Sequence, residues 1–538
     1  MLALVIGTLS LSAGCGESTS APRRSPASDG GSDAGSPADE GGAPAAAGPN
    51  LGGDAATGGE ALPDTGADAG AAGQEPNGSA GAPLVSPQLS LRAISILQTH
   101  ELPLMQAGEP VVVAARPAPL VAGKQALLRV FVDVQSSFVA RPLLGVLDLK
   151  TPQVTRTLVS ERTITQGSLA DDLASTFVFN VDAADLGTTS TYRVRVLESD
   201  TTPLVHFPET GYANLEAQTL RPFELVVVPF IANGFTPKMG DDELLALEHR
   251  LLALFPSPVV DIAVAAPVTL PGVVNGDGDG WDPALDEIYA QRAKAAPDHD
   301  VFYYGMMAPA ASYGSFCANG CTLGLSNVAG PDEVEWRGAI GVTVFPDGSG
   351  AKDAWDTLAH ELGHAMGREH APCGVDDPDP DYPYANASMG GIYGYDFDLM
   401  RLVKPKPSKD VMSYCTPVWI SDYTYRGLFE RLDYIGSESF KALAIQPPEL
   451  FRLARIHRSG HSLWLGERQR RHATARPSAQ QLDLLDGAGR RVGSVQAELV
   501  AVDHATGGYL WLPAAALAAN GAARSVDLRP LGGAVLGL

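Results

Sequence analysis

Pro222–Phe255 reads PFELVVVPFIANGFTPKMGDDELLALEHRLLALF. Its opening, Phe223–Ile231, is a continuous apolar run of strand length, the pattern of a strand covered on both faces. After a turn rich in Gly and Pro, Asp241 and Asp242 start a second segment. There Leu244, Leu245, Leu247, Leu251 and Leu252 recur at helical spacing behind acids that suit a helix N-terminus. A buried strand followed by an amphipathic helix is the first unit of an α/β domain. The alternation continues, with strand patterns at Val259–Ala265, Val301–Met306, Thr322–Val328 and Ala339–Phe345 and a helix pattern near Pro283–Ala295. These place an α/β domain over residues 222–446.

The texture differs on both sides of it. Leu89–Leu97, Pro110–Ala115, Gln125–Val134, Thr176–Val181 and Thr191–Leu197 alternate apolar and polar residues between turn residues, and no helical period interrupts them. A β-sandwich over residues 84–221 is the economical fold for that pattern. Short strand patterns return at Leu450–Ile456, Ser462–Leu465, Ser494–Val502 and Tyr509–Leu512, so a small β domain over residues 447–538 closes the chain. The expected fold class is therefore multidomain α+β, with the α/β domain flanked by an N-terminal β-sandwich and a C-terminal β domain.

Composition limits the partners. Lys and Arg total 38 against 62 Asp and Glu, a net charge of -24, which repels a phosphate backbone and argues against a nucleic-acid partner. Met1–Ala13 is the one apolar run able to engage a membrane; it is too short to span a bilayer and long enough for a signal h-region. It ends in Leu11-Ser12-Ala13-Gly14-Cys15, which resembles the lipobox of bacterial lipoproteins. That resemblance implies residues 1–15 as signal, lipid on Cys15 as the only membrane attachment, and an exported chain on the outer membrane or cell surface, or secreted. Residues 16–83 are Gly, Ala, Ser, Pro and Asp with almost nothing to bury, the composition of a flexible tether. Of 5 cysteines, those other than Cys15 are Cys317, Cys321, Cys373 and Cys415, an even set suited to disulfides in an oxidising compartment. A local Cys317–Cys321 bridge leaves Cys373 with Cys415, although all three connectivities fit the sequence.

The chemistry concentrates in Trp355–Cys373, WDTLAHELGHAMGREHAPC. His360 and His364 are one helical turn apart, so both imidazoles project from one face and can hold one zinc ion, with Glu361 beside them. A third ligand at His370 would miss the metal if the helix continued; Gly367 permits the positive φ of a sharp helix end, and His370 can swing back. Three histidines leave an open position for a water that zinc acidifies and whose proton Glu361 can take.

At His360, Glu361, His364, Gly367 and His370 the sequence resembles the metzincin zinc metallopeptidases, in particular bacterial exported metzincins related to secreted mucin-cleaving metalloproteases. The resemblance implies a methionine turn beneath the zinc, supplied by Asp410-Val411-Met412-Ser413-Tyr414-Cys415, with Met412 as apolar floor and Tyr414 as a phenol that stabilises the oxyanion. A Cys373–Cys415 bridge would pin the two halves of the site together. It also implies that Ala339–Phe345, just before the zinc helix, is the edge strand on which an extended substrate pairs. The expected activity is endopeptidase action on polypeptide or glycoprotein. The alternatives are a catalytically idle surface-anchored binding or adhesion protein on the same scaffold, which has no use for Glu361, and a zinc amidase. Separately, Asn275, Asp277 and Asp279, spaced by glycines, resemble the start of a Ca2+ loop with Asp286 at its twelfth position, against the alternative of a plain Gly/Asp turn.

Overall fold

In the computed structural model the described residues are 88–198, 203–437, 449–457, 459–470, 479–502 and 507–538. The apolar start, Cys15 and the stretch 16–83 lie outside them.

The chain is mainly β-sheet with a few helices. Toward the N-terminus Leu89–Leu97 lies between Glu101–Gln106 and Ala126–Val134, all antiparallel, and Phe177–Val181 pairs on the far side of Ala126–Val134. A second antiparallel sheet is built on Arg141–Lys150, flanked by Thr155–Ile164 and Thr191–Leu197. Ile94, Leu128, Val130, Leu147, Phe177 and Val194, drawn from both sheets, are buried in one hydrophobic core. The alternation of these strands explains that placement, because every second side chain turns to the same face. Pro110–Ala115 departs from the strand expectation: Glu109–Pro110 pairs briefly, and Val113–Ala115 is one turn of 3-10 helix with Val112 exposed.

The central sheet follows the order Val260–Val264, Phe223–Ile231, Phe302–Met307, Gly338–Val342, Gly324–Ser326. The first four run parallel, and Gly324–Ser326 is antiparallel to its neighbour. Helix Asp241–Leu254 buries Leu247, Leu251 and Leu254, while helix Trp281–Ala295 buries Trp281, Leu285 and Ile288. Gly338–Val342, with Ala339, Ile340 and Val342 wholly buried, is therefore an interior strand and not the expected edge. The edge is Gly324–Ser326. Its loop returns the chain antiparallel, so the strand earlier in sequence lies outermost.

Beyond a helix at Asp422–Gly436, the C-terminal residues form a seven-stranded sheet centred on Gly508–Pro513 and Arg491–Ala501. Among the described residues no helix is long and apolar enough to cross a membrane.

Candidate metal centre

Helix Ala351–Ala365 carries His360, Glu361 and His364, which are 6%, 1% and 0% exposed. It stops where the sequence places a glycine. Gly367 has φ +81°, its N–H donates to His364 O at 2.7 Å, and Arg368 N–H donates to Gly363 O at 2.9 Å. This pair of bonds is a Schellman helix end, which caps the last carbonyls and turns the chain back. A Cβ at Gly367 would also come within 2.7 Å of Ala329 O, so both the backbone angle and the space require glycine there. The reversal brings His370 over the helix. The ligand nitrogens of His360, His364 and His370 then lie within 4.8 Å of one another.

The hydrogen bonds around the rings fix where the lone pairs point. His360 Nδ1 lies 2.7 Å from Val411 O, and His364 Nδ1 2.5 Å from Arg368 O. A carbonyl only accepts, so each Nδ1 carries the proton and each neutral ring presents a lone pair at Nε2. Those two Nε2 atoms are 3.1 Å apart. Lone pairs at that separation repel, and a cation between them removes the conflict. Tetrahedral ligation at about 2.0 Å spaces ligand nitrogens by roughly 3.3 Å. The donor set, neutral imidazoles with outer nitrogens held by carbonyls, thus fits a zinc-type ion.

The methionine turn lies against the same helix. Val411 supplies the carbonyl on His360, and Met412 is 1% exposed, with its sulfur close against the position that a Cβ on Gly363 would take. Asp410 organises the turn: its Oδ1 accepts Met412 N–H at 2.8 Å and its Oδ2 accepts Ser421 N–H at 2.7 Å. Burial pushes the Asp410 carboxyl up, and these hydrogen bonds oppose the shift. The third-ligand loop is tied to the turn by Ala371 N–H to Met412 O at 2.9 Å, Tyr414 N–H to Cys373 O at 3.0 Å, and a Cys373–Cys415 disulfide. A further bridge joins Cys317 and Cys321. Tyr414 Oη is 2.9 Å from His370 Nε2, on the open side of the trio.

Glu361 points across the helix toward the edge strand, where a Cβ on Gly324 would sit 2.7 Å from its Cδ. Burial and the Glu361 charge push the Tyr304 phenol, fully buried on Phe302–Met307, well above its usual value. In front lies a cleft of about 400 Å³. Leu323 and Gly324 line one wall, Asp353 and Thr357 the helix side, and Tyr414 and Val418 the opposite rim.

Two features carry no clear sequence signal: the Gly324 edge and the anchoring role of Asp410. The edge has only three strand residues, too few to set a period, and Asp410 is indistinguishable in sequence from the rest of the turn motif. A calcium site at Asn275, Asp277 and Asp279 is not shown among the described residues. Asp277 Oδ1 accepts Asp279 N–H and Asn275 O accepts Trp281 Nε1–H, which closes a turn. Asp286 has entered the helix from Trp281 onward and meets Tyr509 and Arg455 instead. Among the described residues the histidine trio is the one set of three or more such side chains whose ligand atoms converge.

Three converging imidazoles beside a buried carboxylate are a candidate metal centre. Residues 337–418 match the model of the Peptidase M66 family, which supports a metal-dependent peptidase. No curated protein matches the chain. Among solved structures, a calcium binding mutant of Bacteroides uniformis beta-glucuronidase 2 is similar at 10% identity over 40% of this chain and 27% of that one. With a TM-score of 0.12, that likeness defines neither fold nor function. This chain spans only about a quarter of that protein's length, 27%.

Proposed function

We propose that the protein is a zinc-dependent endopeptidase of the metzincin type that acts on extracellular polypeptides, glycoproteins included. It is exported and either held at the outer membrane or cell surface by lipid on Cys15 or secreted. The observation that carries this reading is the convergence of His360, His364 and His370 within 4.8 Å, inside the segment that matches a peptidase family.

The ion would be held by His360, His364 and His370 and would supply Lewis acidity toward a carbonyl and a water. The remaining work belongs to side chains. Glu361, 1% exposed at the back of the cleft, takes the proton of the attacking water and delivers it to the departing amine. Tyr414, 44% exposed on the rim, can turn its O–H toward the oxygen on which negative charge develops. Val411 O and Arg368 O hold the imidazoles in their ligating tautomer.

The test combines metal analysis with proteolysis. We expect one zinc per chain, chelator-sensitive cleavage of casein or mucin, and a rate loss of about 10³-fold or more in Glu361→Ala with zinc retained. Intact substrate with fully zinc-loaded protein would return the chain to a non-catalytic scaffold.

A further inference from the structure

The cleft carries more acid than its chemistry uses. Asp353, Thr357, His360 and Glu361 follow one another at helical spacing along Ala351–Ala365, and all of them line it. Asp356 lines it too, and no Lys or Arg does. The two aspartates differ in what answers their charge. Asp356 pairs with Arg250 at 2.5 Å and with Lys352 at 2.9 Å. Among the described residues Asp353 has no cation beside it; its partner is the Tyr313 phenol, which donates a hydrogen bond to the carboxylate.

Tyr313 is fixed for that contact and also lines the cleft. Its N–H donates to Ser349 Oγ at 2.8 Å, and its ring stands perpendicular to that of Phe345, with centroids 5.9 Å apart. Gly350, at the start of the metal-site helix, leaves room for it: a Cβ there would come 3.0 Å from the Tyr313 ring. Burial first, and then the Asp353 charge, push the phenol up. Both side chains belong to half-buried residues. A carboxylate beside an aromatic ring, partly shielded from water, suits an ammonium or guanidinium group: the carboxylate accepts its N–H donors, and the ring takes the charge or the apolar stem.

We propose that Asp353, with Tyr313 beside it, selects polypeptides that carry Lys or Arg close to the scissile bond. The inference rests on the peptidase reading and names the side chain that its cleft prefers. Asp353 and His360 are two helical turns apart, a rise of roughly 10 Å. An extended backbone covers that distance in about three residues, and a long basic side chain covers part of it. The selected residue therefore stands within about three positions of the bond. An acid in the first turn also favours its own helix. That role needs neither Tyr313 nor a place on the cleft wall, and it would leave substrate choice untouched.

The experiment uses the full zinc-loaded chain. A peptide library identifies a cleaved sequence, in which the three residues on each side of the bond are then varied one position at a time. At one of these positions we expect kcat/KM with Lys or Arg to exceed that with Gln by about tenfold. Asp353→Asn, which keeps the shape of the side chain, should bring that ratio within about twofold. Salt reads the same charge without a variant: raising NaCl from about 0.05 M to about 0.5 M should shrink the ratio of the unaltered chain by about threefold. A basic preference that is absent at every varied position, that survives in Asp353→Asn, or that salt leaves unchanged overturns the selection by Asp353 and leaves the peptidase reading intact. If no library peptide is cleaved, the peptidase reading fails and this inference fails with it.

Discussion

Replacing Gly363 by Ala tests the fit between the metal-site helix and the methionine turn. On helix propensity alone the change stabilises, because an interior Gly costs about 1 kcal/mol relative to Ala. The packing opposes it. The new methyl would fall well inside van der Waals contact distance of Met412 Sδ and 3.2 Å from Met412 Cε. Met412 has little room to withdraw: it is 1% exposed, its N–H is held by Asp410 and its carbonyl by Ala371 N–H. Overpacking of this kind costs about 1–3 kcal/mol, so the net effect is a loss of up to about 2 kcal/mol. The turn that must move also carries Val411 O, 2.7 Å from His360 Nδ1, so zinc affinity should fall by about 10–100-fold. Urea unfolding of metal-free protein reads the first effect, and chelator competition the other. With Met412→Ala the clash vanishes, and adding Gly363→Ala should then stabilise by about 1 kcal/mol, a reversal of sign. If Gly363→Ala stabilises the otherwise unaltered chain by that full amount with zinc affinity unchanged, the proposed contact does not exist.

Other predictions rest on separate contacts. Gly324→Ala should displace the Glu361 carboxylate, whose Cδ would lie 2.7 Å from the new methyl, and lower kcat by about tenfold or more with zinc content unchanged; unaltered kcat refutes that placement. Replacing Cys373 and Cys415 by Ser opens a loop spanning 42 residues and should cost about 4 kcal/mol on the chain-entropy account, read from the shift in urea midpoint. Burial pushes His100, which faces Ile420 O and Lys124, from its usual 6.5 down to about 4. Between those values the unfolded chain binds a proton that the folded chain refuses, so stability falls on acidification by about 3 kcal/mol in all. His100→Gln should remove that part of the pH dependence, and an identical slope in the variant refutes the assignment.

The sequence discloses most where side chains carry the pattern. Phe223–Ile231 and Leu89–Leu97 are legible to the residue because a two-sided apolar run, and an apolar alternation that changes phase only at Ala93–Ile94, have few other readings. Thr155–Ile164 is not, because most of its side chains are exposed or half-buried and lack an apolar period. At the site, the spacing of His360, His364 and His370 and the glycine between them anticipates the convergence. The carbonyls that orient the rings are invisible, since Val411 O and Arg368 O are backbone groups that any residue offers. Strand order is equally hidden: which strand ends outermost depends on the path of a connection, and so the edge lies one strand further out than the sequence suggests.

The same limit applies to the N-terminal sheet, whose sequence carries no sign that it bears on the metal centre. Its first hairpin turn reaches behind the cleft: Thr99 O accepts Trp419 Nε1–H at 3.2 Å, and His100 Nε2–H donates to Ile420 O at 2.8 Å. Trp419 and Ile420 follow Val418, which lines the cleft, and precede Ser421, whose N–H reaches Asp410 beneath the methionine turn. Buried hydrogen bonds of this kind are costly to leave unmade, so loosening the hairpin would release the segment on which the turn is pinned. The N-terminal sheet therefore acts on the metal centre through two residues of backbone, and substitutions at Thr99 or His100 should register in zinc affinity although neither side chain enters the cleft.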